Sequence, residues 1–494
     1  MKVKKLFGTA ALTVGLLALA SCGGTNEPKD SSTNPTGSES SKPTTTPTTT
    51  GGSSEVKTIT LVTSAGDDLQ KILNKAKADF EAENKNFKVN IVTATGYDAI
   101  KSKVTSDLVA GQQPSMAYCY GDHVASYLST GKVLALDDYI NNSQYGLDLN
   151  DLLYTDEMAV FGDGKKYTLP MSKSTDALYF NSSVITPELL ATLDIDFNNP
   201  AKWTWDKMWQ LCAKLKEMYP KSTPLGYDSE ANWVITYLEA LGARDSKKYY
   251  TDASQEDEDK ILFNNAKTKE IFATANEKYE AGLLTTKGTY GSYTSGLFTQ
   301  YKSTTAAKDY AGSFMSIGST GGASHQLPAE DDQTHLRPFT VGLAPMPSVD
   351  GTANTVKQIS QGPSLVLFDQ GDKDLALGTW LFAKKLLSAD VQAAYAAKSG
   401  GYSPVSKKAL ATLTASLDTT DPAQKLNKDC LDLMNKLYSE HSLYVSDCFD
   451  ASAVAREEIG KALINVLKAT DKSNIDKTIS NAITGAYQEV ADKL

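Results

Sequence analysis

Apolar and polar positions alternate with period two over Val56–Thr63 and again over Lys88–Thr95, the signature of half-buried strands. Between them Leu69, Ile72, Leu73, Ala76 and Phe80 recur at helical spacing, which predicts a helix over Asp67–Glu83. The pattern repeats: a helix over Tyr97–Ala110, a short apolar strand over Ser115–Tyr120, and a helix over His123–Ser129 that stops before Gly131. Strands that alternate with helices in this way predict an α/β unit around a largely parallel sheet. A second α/β region follows Tyr167-Thr168-Leu169-Pro170, with a strand over Ala177–Phe180, a helix over Trp203–Tyr219, and a helix over Trp233–Leu241 interrupted at Gly242. Further on, a strand over Ser313–Ile317 opens into Gly318-Ser319-Thr320-Gly321-Gly322, and long helices are predicted over Thr379–Ala397 and Val454–Lys468.

Composition narrows the class of partner. The chain has 494 residues, 41% hydrophobic and 22% charged, which suits two or three compact soluble units. Its formal charge is −10, and its only arginines are Arg244, Arg337 and Arg456, so the basic footprint that nucleic acid demands is missing. His123, His325, His335 and His441 are scattered without metal-ligand spacing, so neither a metal nor a cofactor is expected.

The first residues set the compartment. Lys2, Lys4 and Lys5 precede an apolar run from Leu6 to Ala20, too short for a stable membrane span but right for a secretory signal. The run closes on Leu19-Ala20-Ser21-Cys22, which resembles the bacterial lipobox, so residues 1–21 are expected to be removed and Cys22 to carry the lipid, palmitate included. Residues 22–55 are rich in Ser, Thr, Pro and Gly and read as a disordered tether, because little apolar surface is available to offset the entropy of ordering. Cys119, Cys212, Cys430 and Cys448 are too few for a disulfide scaffold and read as small buried apolar residues. Whether Cys430 and Cys448 pair stays open.

In open α/β sheets ligands collect beyond the carboxyl ends of the strands. The turns there are Ser64-Ala65-Gly66-Asp67, Thr95-Gly96-Tyr97-Asp98 and Tyr120-Gly121-Asp122-His123. Each holds a Gly for close backbone approach and an Asp suited to cap the following helix, so Asp67, Asp98 and Asp122 are expected as N-caps, a role compatible with ligand contact.

Several segments together resemble the extracellular solute-binding proteins of ABC import systems, in the family that serves sugars and glycerol phosphates. Gly131-Lys132-Val133-Leu134-Ala135-Leu136-Asp137-Asp138-Tyr139-Ile140 is similar to that family's G-x-L-x-x-L-D-D-Y-I stretch, with one extra residue after the Gly. Tyr167–Pro170 followed by Ala177–Asn181 resembles its Y-x-L-P strand pair, and Pro200–Asp206 its helix start ending in T-W-D. Trp380–Lys384 and Gly401-Tyr402-Ser403-Pro404-Val405 resemble its W-x-F-x-K helix and G-Y-x-P-V turn. The resemblance implies a two-lobe, periplasmic-binding-protein-like (Venus flytrap) α/β fold with several hinge crossings. Lobe one would span 56–168 plus 336–371, and lobe two 169–335 plus 372–494.

The resemblance also implies a cleft lined from both lobes: Ser64, Gly66, Asp67, Tyr97, Tyr120 and Asp122 from the first, and Ser172, Ser174, Thr175, Trp233, Ser319, Thr320 and Gly321 from the second. Gln361 and Gly362 would sit at the return crossing and Tyr402 in the Gly-Tyr-x-Pro-Val turn. Arg456 resembles an arginine of the glycerol-phosphate branch, although Glu457 and Glu458 beside it read equally well as a solvated helix surface. Trp203, Trp205, Trp209 and Trp380 lie within amphipathic helices and are expected to pack in cores.

The expected function is therefore a lipid-anchored, monomeric capture subunit that binds a mono- or oligosaccharide and delivers it to an ABC permease on the outer face of the cytoplasmic membrane. The same role for glycerol-3-phosphate or a glycerophosphodiester is the alternative. Two other classes compete: a surface carbohydrate hydrolase, with Asp67 and Asp122 as its carboxylates, and an adhesin or scaffold, which would explain the tether but not the crossing motifs.

Overall fold

The computed structural model describes residues 55–299, 309–328 and 339–494. The signal segment, Cys22, the tether up to residue 54, His335 and Arg337 lie outside the described residues.

The β-branched alternation of the first strands forms β1 (Lys57–Thr63) and β2 (Phe87–Thr93), paired in parallel from Lys57 opposite Phe87 to Thr63 opposite Thr93. With β3 (Met116–Cys119) and β4 (Thr168–Pro170) they enter a five-stranded sheet. The second sheet draws on β5 (Asp176–Asn181), β6 (Leu225–Tyr227), β7 (Leu284–Thr286), β8 (Met315–Ser319) and β9 (Val341–Ala344), in the order β7-β6-β8-β5-β9. After β10 (Gln358–Ile359) comes β11 (Ser364–Leu367), which returns to the first sheet and gives it the order β2-β1-β3-β11-β4, while β12 (Leu443–Tyr444) pairs with β10. Each sheet is mixed rather than largely parallel, with two parallel and two antiparallel pairings: β11 in the first and β5 in the second run antiparallel to both neighbours, because these are the strands by which the chain arrives from the other half.

Each sheet owns a core. Ile59, Leu61, Phe80, Trp380 and Phe382 pack around the first; Trp203, Trp205, Trp233, Phe263 and Phe272 pack around the second. Two apolar clusters on two sheets make two lobes, the expected α/β architecture. Trp203, Trp205, Trp209 and Trp380 are buried as their helical spacing predicts, and Cys119, Cys212, Cys430 and Cys448 are buried free thiols.

Four local expectations are corrected. The lobe boundaries move: β9 pairs with β5 in the second sheet, so the segment around 341–359 belongs to lobe two. Conversely, the helices Lys373–Leu386 and Ala389–Ser399 pack on lobe one, where the Phe80 and Phe382 rings lie 5.2 Å apart. The single helix predicted over Thr379–Ala397 is thus two, broken where Ser388 turns extended. Gly242 does not stop its helix, which runs from Glu230 to Asp245 and ends at left-handed Ser246; a Cβ on Gly242 would lie 2.6 Å from the Lys247 carbonyl oxygen. Asp67, Asp98 and Asp122 are not N-caps: Gly66, Gly96 and Tyr120 occupy those positions, and the acids fall in the first turn, where they complement the helix dipole.

The placement of the helix Lys373–Leu386 generates a test. In most exposed helices Gly→Ala is stabilising, but a Cβ on Gly378 would meet the Phe87 ring at 2.3 Å. Gly378→Ala is therefore expected to lower stability by about 1–3 kcal/mol in denaturant unfolding. A stabilised variant would contradict the packing of this helix on lobe one.

Candidate functional site

The chain crosses between the lobes in three segments that bond to one another. The Lys173 and Ser403 backbones exchange two hydrogen bonds (3.0 and 2.7 Å), and Ser174 and Gln361 exchange two more (2.7 and 2.9 Å), so residues 172–175 form the middle of a short three-stranded hinge. Beneath it the buried Lys173 ammonium pairs with the Glu157 carboxylate and donates to Ser364 Oγ at 2.9 Å, while Ser360 Oγ donates to Glu157 Oε1. Neither Lys173 nor Glu157 is signalled by the sequence, because nothing in the spacing of two isolated charges foretells that they will meet.

Beside the hinge, side chains converge from both lobes. Tyr97 and Tyr120 start the second and third helices of lobe one, and their rings lie 4.4 Å apart. Tyr402 lies between two glycines: a Cβ on Gly321 would fall 2.4 Å from its Cζ, and one on Gly362, whose φ is +106°, would fall 3.2 Å from its Cε1. These glycines are required by close approach. Tyr97 and Tyr402 face one another, and burial raises the pKa of both hydroxyls, so each remains a neutral donor. Behind them the hydroxyls of Tyr118 and Tyr395 bond at 3.3 Å.

The polar wall is a connected network. Asp122 Oδ1 accepts from the His123 backbone at 2.8 Å. Arg456 is half-buried in the helix Ser452–Lys468; burial opposes its charge, but Asp122, with the Tyr120 hydroxyl, more than offsets this, so the pKa of the guanidinium is raised. Its Nη2 donates to Asn232 Oδ1 and, at 3.5 Å, to Gln361 Oε1. Asp176, buried at the start of β5, accepts from Asn232 Nδ2 at 2.9 Å and from Gln361 Nε2 at 3.0 Å. Burial pushes its carboxyl from 3.8 up to about 6, with the two amides and Arg456 pulling the other way. The raised value means that the folded protein favours the protonated form. Asp176 thus lowers stability as pH rises from about 4 through 6, by up to about 3 kcal/mol.

Tyr120, Asp122, Gln361 and Arg456 share a cavity of about 50 Å³ with Lys173 and Glu157. Small-molecule sites typically occupy about 300–1,000 Å³, so a solute of sugar size enters only if the lobes part.

The other expected residues divide into three groups. Ser64, Gly66 and Asp67 lie at the carboxyl end of β1, with Gly66 and Asp67 exposed, and no hydrogen bond or ring contact among the described residues joins them to the tyrosines. Ser174, Thr175, Ser319 and Thr320 bond chiefly to one another: Ser319 Oγ donates to Ser174 Oγ at 3.1 Å, and the Thr175 backbone donates to Thr320 Oγ1 at 3.1 Å. Thr175 and Thr320 are fully buried, and Ser172 is buried with an unpartnered hydroxyl among the described residues. Trp233 is a correction. It is 1% exposed and packs with Trp205, Trp209 and Tyr227 at centroid separations of 6.0, 6.1 and 5.6 Å, which places it in the core of lobe two rather than in the cleft. The sequence reading missed Asp176 and Asn232; the signal available was an acid opening an otherwise apolar strand, Asp176-Ala177-Leu178-Tyr179-Phe180.

Comparison with known proteins agrees with this geometry. Residues 75–424 match the family described as bacterial extracellular solute-binding protein. The chain belongs to that family. A binding protein of Brucella abortus is 26% identical over 144 residues, which span 29% of this chain and 32% of that protein. Among solved structures, the GacH receptor of Streptomyces glaucescens, determined unliganded and with acarbose, is similar with a TM-score of 0.62 at 16% identity, over 89% of this chain and 99% of its own. UgpB of Mycobacterium tuberculosis in complex with glycerophosphocholine gives 0.62 at 15% identity over 89% and 99%. An ABC substrate-binding protein of Listeria monocytogenes in complex with cycloalternan gives 0.63 at 16% over 88% and 99%. These likenesses establish the fold.

The buried hinge pair yields the next test. Lys173→Met leaves Glu157 buried without its cation and is expected to cost about 3–5 kcal/mol, whereas adding Glu157→Leu recovers part of that loss. Denaturant unfolding of the two variants measures both, and a double variant weaker than the single by a full additive step would show that the charges are not coupled.

Proposed function

We propose that this protein is the capture subunit of an ABC importer, held by a lipid on Cys22 at the extracellular face of the cytoplasmic membrane. As a monomer, with no cofactor, it closes on a mono- or oligosaccharide and hands it to the permease. The observation that carries this reading is the convergence of Tyr97 and Tyr120 from one lobe with Tyr402, Gln361 and Arg456 from the crossings and the other lobe, around Asp122. Sugar rings offer C–H faces that stack on aromatic rings, and hydroxyls that need donors and acceptors such as Asp122 and Arg456. Closure is favoured only where solute contacts the closed state better than the open one, which is why contacts from both lobes matter. Acarbose and cycloalternan in two fold relatives support the carbohydrate class.

A second reading, glycerol-3-phosphate or a glycerophosphodiester, is favoured by Arg456, whose only protein acceptors among the described residues are met through Nη2, and by the glycerophosphocholine bound to UgpB. Against a hydrolase stands the separation of roles between its two carboxylates, Asp67 exposed and Asp122 bonded to the His123 backbone. Among the described residues no helix is long and apolar enough to cross a membrane.

A thermal-shift panel of mono-, di- and oligosaccharides, glycerol-3-phosphate and glycerophosphocholine tests the reading, since a ligand at a hundredfold its Kd adds about 2.7 kcal/mol. One saccharide is expected to raise the melting temperature, and Arg456→Gln is expected to weaken that shift without abolishing it. A shift confined to the phosphate compounds and lost in Arg456→Gln selects the second reading. No shift with any compound sinks both. Labelled palmitate is expected to enter the wild-type chain in its host membrane and not Cys22→Ser.

A further inference from the structure

Asp176 touches neither the cavity nor the tyrosines, yet it decides how two side chains between it and Arg456 can be oriented. Its Oδ2 accepts from Asn232 Nδ2 at 2.9 Å and its Oδ1 from Gln361 Nε2 at 3.0 Å. An ionised carboxylate has acceptors only, so both amides must turn their NH2 groups toward it and their oxygens away. Those oxygens, Asn232 Oδ1 and Gln361 Oε1, are the two that receive Arg456 Nη2, and Asn232 Nδ2 makes a further 3.3 Å contact with Gln361 Oε1. Nε and Nη1 of Arg456 meet no protein acceptor among the described residues and remain available to a solute or to water. The relay also touches the hinge, because the Gln361 backbone pairs with Ser174.

We propose that Asp176 is a positioning residue for solute capture: acting through Asn232 and Gln361, it orients the guanidinium of Arg456 toward the cleft. The inference rests on the capture reading in that Arg456 meets solute. Protonating Asp176 places an O–H donor against one of the two amides, which favours reversal of that amide and presents an NH2 group to the guanidinium in place of an oxygen. The charged and titratable groups facing Asp176 are Arg456 from the helix Ser452–Lys468, Asp228 from the turn before the helix Glu230–Asp245, Tyr179 on β5, Tyr227 on β6 and Tyr444 on β12. Burial keeps the three tyrosines neutral, and Asp228 is separately held by the Thr294 backbone and hydroxyl at 2.6 and 2.8 Å. Affinity is thus expected to fall as pH drops through about 6, while the contribution of the same group to stability rises over that interval. A merely structural acid would change stability over that interval and leave affinity unchanged.

Asp176→Asn imposes the conflict at every pH, because one of its two side-chain positions is then a donor. Maltotriose and glycerophosphocholine are titrated calorimetrically from about pH 5 to about pH 7.5 into wild type, Asp176→Asn, Arg456→Gln and the double variant. For the probe that binds, Asp176→Asn is expected to weaken binding about tenfold to a hundredfold at pH 7.5, without a lower melting temperature and with the pH dependence gone. In the Arg456→Gln background it is expected to add nothing. Wild-type affinity in Asp176→Asn, or a loss that persists undiminished on Arg456→Gln, overturns the proposal. If wild type binds neither probe, the choice of solute has failed on its own, and nuclear magnetic resonance of the side-chain amides decides the relay without solute. The NH2 signals of Asn232 and Gln361 are expected to titrate near pH 6 in wild type and to stay fixed in Asp176→Asn; signals that ignore pH in wild type overturn the relay.

Discussion

The chain must pass repeatedly between two apolar cores, and every backbone and side-chain polar group buried on the way needs a partner there. This requirement shapes the middle of the molecule. Residues 172–175 bond to 403 on one side and to 361 on the other, and the charge brought in on Lys173 is met by Glu157 and Ser364. Such a hinge is narrow, with the Lys173 and Ser174 backbones paired on both sides, which is the kind of short crossing at which hinge closure is absorbed by a few backbone rotations. A buried ion pair is weak evidence for stability in itself. Separating Lys173 from Glu157 would leave each charge buried without its partner, so an arrangement of the crossings that parts them carries that cost.

The same accounting explains the character of the cleft. Tyr97, Tyr120 and Tyr402 present ring faces with neutral hydroxyls, Gly321 and Gly362 make room for the third ring, and the charge of Arg456 is favoured by Asp122 nearby. An apolar surface with a few fixed donors and acceptors suits a polar guest with C–H faces. The small cavity lined by Tyr120, Asp122, Gln361 and Arg456 lies beside the hinge, and Tyr97 and Tyr402 meet through their hydroxyls next to it.

How far this could be read from the residues differs along the chain. In lobe one the alternation of β1 and the helical stripe after it were long enough to mark boundaries to within a residue, and the helix Asp67–Glu83 came out as its spacing predicts. In lobe two the strands β6 and β7 have three residues each, too few for a period to show. The lobe boundaries were misread because β9 and β11 are both four-residue apolar runs that differ only in their partners, and partner choice is non-local. Tyr97, Tyr120 and Tyr402 could be anticipated from their turns. Trp233 was misjudged because an aromatic residue at the start of a helix looks the same from sequence whether it faces a cleft or, as here, a cluster of Trp205, Trp209 and Tyr227. The Asp176–Asn232–Gln361–Arg456 chain joins residues up to 224 positions apart and leaves no local pattern at all.

The central claim is mechanical: a small hydrophilic solute draws the two lobes together. Spin labels on cysteines replacing exposed Asn74 in lobe one and exposed Thr484 in lobe two report the interlobe distance directly, the native thiols among the described residues being buried. With the solute that raises the melting temperature, the distance distribution is predicted to shorten and narrow, saturating at the concentration where binding saturates. A distribution that stays unchanged while the solute is demonstrably bound would contradict the account.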